Sequence, residues 1–249
     1  VTGVQTCALP ISALRRDGDS KSEPLIFERN GNNQSLYLTG DTYLDLKEVG
    51  VFRKSDPFSI GIWMNISKEM KEGVIFHKSN MERLYNFKGY NVYLKNNRLE
   101  MTMAHTAPSN AITKVSLNDI PRNQWIQLTM TYDGSSTAKG LNLFVDGSPL
   151  KMETQIDQLY KDIVFFSKDE PGLQIGGWGR GFGMKGGKID DISVYNRALT
   201  PFEIKVLAKK TNWDLITKKT STELTKEDIS VLKEYYNSVV NVAIKNASI

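Results

Sequence analysis

The stretch GGKIDDISVYNRALTPFEIKVL, Gly186 to Leu207, constrains the fold more than any other part of the chain. Its first half, Ile189 to Tyr195, is apolar and β-rich and reads as a strand. Its second half opens a helix. Thr200 is placed to cap it, Pro201 suits the first helical position, and Glu203 completes a capping box. A strand with two adjacent acids, followed at once by a capped helix, is an unusual order for the end of a β-rich segment.

Upstream, short β patterns follow one another without intervening helices. Ser35 to Leu38 and Tyr43 to Leu46 alternate around a turn at Thr39 to Thr42. Phe58 to Ile66 reads as a buried strand, and Gly73 to Lys78 as another. Tyr90 to Met103 holds two runs joined at Asn96-Asn97, a pair that tolerates the positive φ of a type I′ hairpin. Trp125 to Tyr132 and Leu141 to Val145 flank a polar loop, and Asp146-Gly147 turns the chain back. Strands are also expected at Ile163 to Phe166 and Leu173 to Ile175. About a dozen short strands with turn punctuation predict an all-β, antiparallel jelly-roll sandwich. A short helix over Pro201 to Lys210 should close it, and a C-terminal helix should follow. With 40% hydrophobic residues the chain can build the core this needs.

Gly186 to Leu207 resembles the closing strand of LamG-like, concanavalin A-like lectin domains, whose pattern there runs close to iDDvriYnRaLtpeEi. Ser35 to Leu46 resembles the opening of such domains, Phe58 to Ile66 their FslsaWv strand, and Trp125 to Gly147 their W…TYDG…DG block. The stretches His105 to Ile112 and Leu224 to Val240 resemble one setting of this module. It is embedded in large exported bacterial proteins that also carry cytochrome c-like and Planctomycete-type domains. The resemblance implies a concanavalin A-like sandwich and an extracellular or periplasmic location.

The domain plan follows. Residues 1–11, VTGVQTCALPI, resemble translated sequencing adapter and hold the single cysteine, Cys7. Residues 12–23 read as a disordered lead-in, 24–213 as the LamG-like sandwich, and 214–249 as the helical start of a following, truncated domain. Thr225 to Ala247 carries an apolar stripe at Ile229, Leu232, Tyr236, Val239, Val240 and Ala243, which needs a partner surface. That surface is either the next domain or the sandwich itself. No apolar run is long enough for a membrane span. The net charge of +4 is spread without a long basic block, which gives no footprint for nucleic acid.

Catalysis finds little support. The E-x-D-x-x-E pattern of concanavalin A-like glucanases is absent. Asp190 and Asp191 are adjacent, so on a strand they point to opposite faces and cannot make a glycosidase pair. Gly181 to Gly186 matches G-x-G-x-x-G, but a strand rather than a helix follows, so no dinucleotide loop forms. Binding is the better lead. Trp63 and Trp125 lie within strands and read as core, and Trp213 as packed under the terminal helix. Trp178 stands in GGWGRGFG, a loop too glycine-rich to bury it easily. With Arg180 and Phe182 it can stack on a sugar ring, the guanidinium pairing with an acidic or sulfated group. Otherwise it anchors the loop on the sandwich edge. Tyr85, Phe87 and His105 are lesser candidates.

The function expected is a non-catalytic carbohydrate-binding module of a larger exported multidomain protein. The alternatives are a spacer or protein-interaction domain without a glycan site, and a degenerate glucanase. The resemblance also implies one structural calcium ion at the sandwich rim, from Gly40, Asp41, Asp190 and Asp191. Against it, Asp41 can simply cap a turn, and one of the paired acids can face solvent.

Overall fold

A computed structural model of the chain describes residues 26–30, 33–80, 86–168, 170–178 and 181–247. The expectations for residues 1–23, Tyr85 and Arg180 lie outside these. Among the described residues, fourteen antiparallel strands form two seven-stranded sheets. The first runs β1 (Ile26–Asn30), β2 (Asn33–Thr39), β14 (Lys185–Tyr195), β4 (Phe58–Asn65), β9 (Trp125–Tyr132), β10 (Leu141–Val145), β11 (Ser148–Pro149). The second runs β12 (Met152–Asp157), β8 (Asn110–Ser116), β7 (Arg98–Thr106), β6 (Gly89–Lys95), β5 (Glu72–Ser79), β13 (Gln174–Ile175), β3 (Leu44–Asp45). This is the sandwich the turn spacing predicts.

Alternation puts one side of every strand into a shared core. Phe58, Ile60, Ile62 and Met64 of β4 face Tyr90, Val92 and Leu94 of β6, all fully buried. Phe58 anchors this core, with its ring 4.5 Å from Phe52 and 5.1 Å from Tyr90. The hairpins obey their turn residues: Asn96 and Asn97 have φ of 49° and 65°, and Lys95 pairs with Arg98. Asp146 and Gly147 do the same between β10 and β11.

The chain leaves β14 into helix α1 (Pro201–Leu207), whose capping box is present as expected. Short α2 (Trp213–Ile216) and α3 (Lys226–Tyr235) follow; α3 continues through a π-helical stretch, Tyr236–Val240, into α4 (Asn241–Ala247). Two expectations need correction. Ile163 to Phe166 is not a strand, because the amides of Phe165 and Phe166 donate to the Glu170 carboxylate at 2.7 and 2.9 Å instead of to a neighbouring strand. The apolar stripe of the terminal helix is also turned. Tyr235, not Tyr236, packs inward, 4.5 Å from Trp213 and 5.5 Å from Phe202, while Ile229 and Tyr236 stay exposed. Trp213 does lie under this helix.

Candidate functional site

The outward face of the second sheet carries the residues left over from the core. On β6, Tyr90, Val92 and Leu94 point in, so Asn91, Tyr93 and Lys95 point out. On β7, Glu100, Thr102 and Ala104 point out, and on β8 Ala111, Thr113 and Val115. Register aligns them in rows across the sheet: Gly89, Ala104 and Ala111; then Asn91, Thr102 and Thr113; then Tyr93, Glu100 and Val115. The small first row leaves room for rings. Trp178, Phe87 and Tyr93 fill it as one aromatic cluster.

Beside this cluster the face opens into a groove of about 210 Å³. Trp178, Phe87 and Tyr93 wall one side, Gln155 and Ile156 of β12 the other, and Ala107 and Pro108 one end. Its floor is a polar strip. The Thr102 and Thr113 hydroxyls lie 3.2 Å apart, and the Asn91 side-chain carbonyl accepts the Thr102 amide at 3.3 Å. Among the described residues that line it, the charged ones are Lys95 and Glu100.

Trp178 reaches this place by a route opposite to the expected one. It is only 2% exposed, because the glycines let the loop pack down rather than hold it away. A Cβ on Gly177 would come within 2.3 Å of the Tyr43 side chain, so only glycine lets the chain pass there. The Gly177 carbonyl then accepts Nε2–H of buried His77 at 2.9 Å, while His77 Nδ1 faces the Ser79 hydroxyl. The indole lies 4.8 Å from His77 and 6.0 Å, edge-on, from Tyr93. It is therefore a packed wall of the groove and not an exposed platform. Phe182 is half-buried against the same cluster. Phe87, a lesser candidate, is buried in it. His105 bonds instead to the Asp162 carbonyl.

The proposed calcium donors are not brought together. Thr39, beside the Gly40-Asp41 turn, pairs with Lys185, whereas Ile189 lies level with Leu36. Asp190 is thus at least three residues, roughly 10 Å, along the strand from that turn. An ion binding oxygens at about 2.3–2.6 Å cannot span it. Asp190 accepts the Asp191 amide at 2.8 Å, and burial pushes its carboxyl up. Asp191 lies 3.5 Å from Lys209. Among the described residues no three His, Cys, Asp or Glu side chains cluster to hold a metal.

Trp63 and Trp125 also need correction as core residues. Both point outward from the first sheet, where Trp125 is 40% exposed and Lys209 lies 5.3 Å over the half-buried Trp63 ring. What sequence reasoning missed are Asn91, Tyr93, Glu100, Thr102, Thr113 and Gln155. For those on β6, β7 and β8 the signal was present as alternation, since each sits between inward-facing positions; Gln155 falls at the irregularity between Thr154 and Ile156, where alternation gives no signal.

Comparison with known proteins agrees with this architecture. The description of the concanavalin A-like lectin/glucanases superfamily, in its Laminin G form, matches residues 38–205. Domain 4 of AbnA, an extracellular GH43 arabinanase from Geobacillus stearothermophilus solved with arabinotriose, superimposes with a TM-score of 0.56 at 16% identity. That match covers 80% of this chain and 88% of that one. The binding domain of Paraclostridial Mosquitocidal Protein 1 gives 0.56 at 16% identity, covering 80% and 51%. The binding domain of botulinum neurotoxin serotype G gives 0.53 at 18%, covering 82% and 47%. At these identities the likeness shows the fold alone. No curated protein matches the chain.

Proposed function

The chain belongs to the concanavalin A-like lectin/glucanase superfamily, and from that premise we propose that it is a carbohydrate-binding module whose site is the groove on the second sheet. The observation that carries this reading is the lining: a ring wall of Trp178, Phe87 and Tyr93 beside a floor of hydroxyl and amide groups. The buried rings give that wall a fixed shape, and the polar groups of the floor can read sugar hydroxyls. At about 210 Å³ the groove falls below the roughly 300–1,000 Å³ of pockets for drug-sized ligands, which suits one or two sugar units. The arabinotriose bound by the arabinanase domain supports the ligand class.

The module is non-catalytic in this reading. Glycoside hydrolysis needs two carboxylates flanking one bond, and Glu100 is the single carboxylate among the described lining residues. Ile229, Tyr236, Val242 and Ile244, exposed on the terminal helices, support a place beside a further domain of a larger exported protein. None of the described helices is long and apolar enough to cross a membrane.

A glycan array followed by calorimetry on the purified chain tests this. Binding should appear for a defined oligosaccharide class and disappear in Thr113→Trp, which fills the groove from its floor. Binding unaffected by that change would move the site elsewhere. Silence across the array would favour a protein-interaction spacer, and polysaccharide cleavage would restore the glucanase reading.

A further inference from the structure

Resting on the sugar-binding reading of the groove, we infer that it selects acetamido sugars, N-acetylhexosamine units whose acetyl carbonyl is held by Asn91. An unmet hydrogen-bonding capacity carries this. Asn91 is only 6% exposed, yet it lines the groove. Its side-chain oxygen accepts the Thr102 amide, and a backbone N–H can only donate, so the orientation of the carboxamide is fixed. The Asn91 NH2 group therefore turns away from the Thr102 backbone, and it finds no hydrogen-bond partner among the described residues. Buried donors without a partner are rare, because each has lost its hydration for nothing in return. Beside it the buried Thr102 and Thr113 share one hydrogen bond. One hydroxyl donates to the other, and the second O–H is left over as a further donor.

The floor thus asks for an acceptor. A carbonyl oxygen has two lone pairs and takes an N–H from Asn91 and an O–H from a threonine together. Two features choose an acetamido carbonyl over a carboxylate. The first is charge. Lys95, the one ammonium among the described lining residues, is exposed and lies four residues along β6 from Asn91, roughly 13 Å at the rise of a strand. A carboxylate on the floor would be desolvated with none of the described lining cations beside it, which is costly. The second is the apolar end. Ala107 and Ile156 pack against the aromatic cluster, and Pro108 follows Ala107 in the lining. Ile156 pairs with Thr113, so an apolar side chain stands next to the polar floor. An acetyl methyl, bonded to the carbonyl carbon, suits this end, where a bare hydroxyl would lose its hydration. Gln155, also on β12, supplies an acceptor for the acetamido N–H within the same lining. The acidic ligand expected from the sequence depended on Arg180, which lies outside the described residues.

The test titrates the purified wild-type chain with three panels of equal length: N-acetylglucosamine oligomers, gluco-oligosaccharides of the same linkage, and oligogalacturonides. The first two differ only in the acetamido group on each ring. The acetylated ligand should bind at least about tenfold more tightly than its gluco counterpart, with an affinity indifferent to salt. Asn91→Asp keeps the shape and the acceptor for the Thr102 amide, and replaces the NH2 donor with an oxygen. It should weaken the acetylated ligand about ten- to a hundred-fold, and the gluco ligand less. If its thermal melt shows that Asn91→Asp does not fold, Thr113→Val, which removes a hydroxyl at constant shape, reads the same preference and should narrow it about three- to tenfold. Equal affinity for the first two panels, lost in Thr113→Trp, would overturn the inference while leaving the groove a sugar site. Preferential binding of oligogalacturonides would do the same. An acetyl preference that Asn91→Asp leaves unchanged would overturn the role of Asn91. Failure of all three panels would overturn the sugar reading, and this inference with it.

Discussion

The outer faces of the two sheets are built from the same kind of strand and end differently. On the first, β14 runs into α1, which folds back over β4 and β9. Leu207 reaches to within 3.4 Å of where a Cβ on Gly61 would stand, and Tyr195, Leu199 and Ile204 form a small second core with Phe144 beneath it. On the second face none of the described residues lays down a helix. A glycine-rich loop presses one tryptophan against the strands and leaves a polar floor open beside it. The covered face needs a helix anchor; the open face needs rings rigid enough to serve as a wall. The difference shows that the strands supply two equivalent platforms, and the connections decide which becomes a site.

The largest effect that would sharpen the contrast is at Trp178. As a 2% exposed side chain among His77, Phe87 and Tyr93, its truncation to alanine should cost about 3–5 kcal/mol in urea unfolding. A change below about 1 kcal/mol would mean that the ring is an exposed platform after all, and the two faces would differ less than their burial implies.

The covered face breaks most directly at Gly61. A Cβ there meets Ser193 Oγ at 2.8 Å and the Gln127 amide nitrogen at 3.1 Å, so Gly61→Val should wedge α1 off the sheet. We expect a loss of about 1–3 kcal/mol. Binding in the groove should be unchanged, and a parallel loss of sugar affinity would show the two faces to be coupled.

The anchor of α1 gives a smaller, pH-dependent effect. Glu203 accepts two hydrogen bonds from Arg197 at 2.7 and 2.8 Å, and the Thr200 amide at 2.8 Å. Burial opposes ionisation, yet the bonds from Arg197 and Thr200 hold the carboxyl below the ordinary glutamate range. A depressed folded-state value means that its stabilisation is complete above the unfolded value and fades as pH falls through the folded one. Glu203→Gln should cost about 1 kcal/mol near neutrality, since Arg197 is partly exposed to solvent. That cost should shrink in acid. Equal costs at both ends of a pH series of thermal melts would refute the charge.

Smallest is Trp125→Ala on the first sheet. At 40% exposure its loss should change stability by less than about 1 kcal/mol, and leave groove binding intact.

Local chemistry was enough for much of the fold. Asn96-Asn97 and Asp146-Gly147 specify their turns because few residues accept positive φ, and Thr200 to Glu203 specify a helix start because a capping box is satisfied within four residues. In β4 and β9 alternation speaks against the core placement expected of Trp63 and Trp125, which fall out of phase with the inward-facing residues and point outward. Where local signals are weak or shared, the reading slipped. Phe165 and Phe166 look like strand but find their hydrogen-bond partner in Glu170. Tyr235 and Tyr236 are interchangeable by composition, and only packing against Trp213 chose between them.

The sequence by itself therefore determined the sandwich, its family and the capped helix after its last strand, because these follow from residue periods and bonds made within a few positions. It also pointed to the Trp178 loop. Only the tertiary structure decided that this tryptophan is a buried wall, that Asp41 and Asp190 stand apart, and that Asn91, Glu100, Thr102 and Thr113 share a floor. Those facts depend on which strands become neighbours and in what register. Such contacts join residues far apart in the chain, and a period-2 pattern marks two faces without saying which one the rest of the molecule will cover.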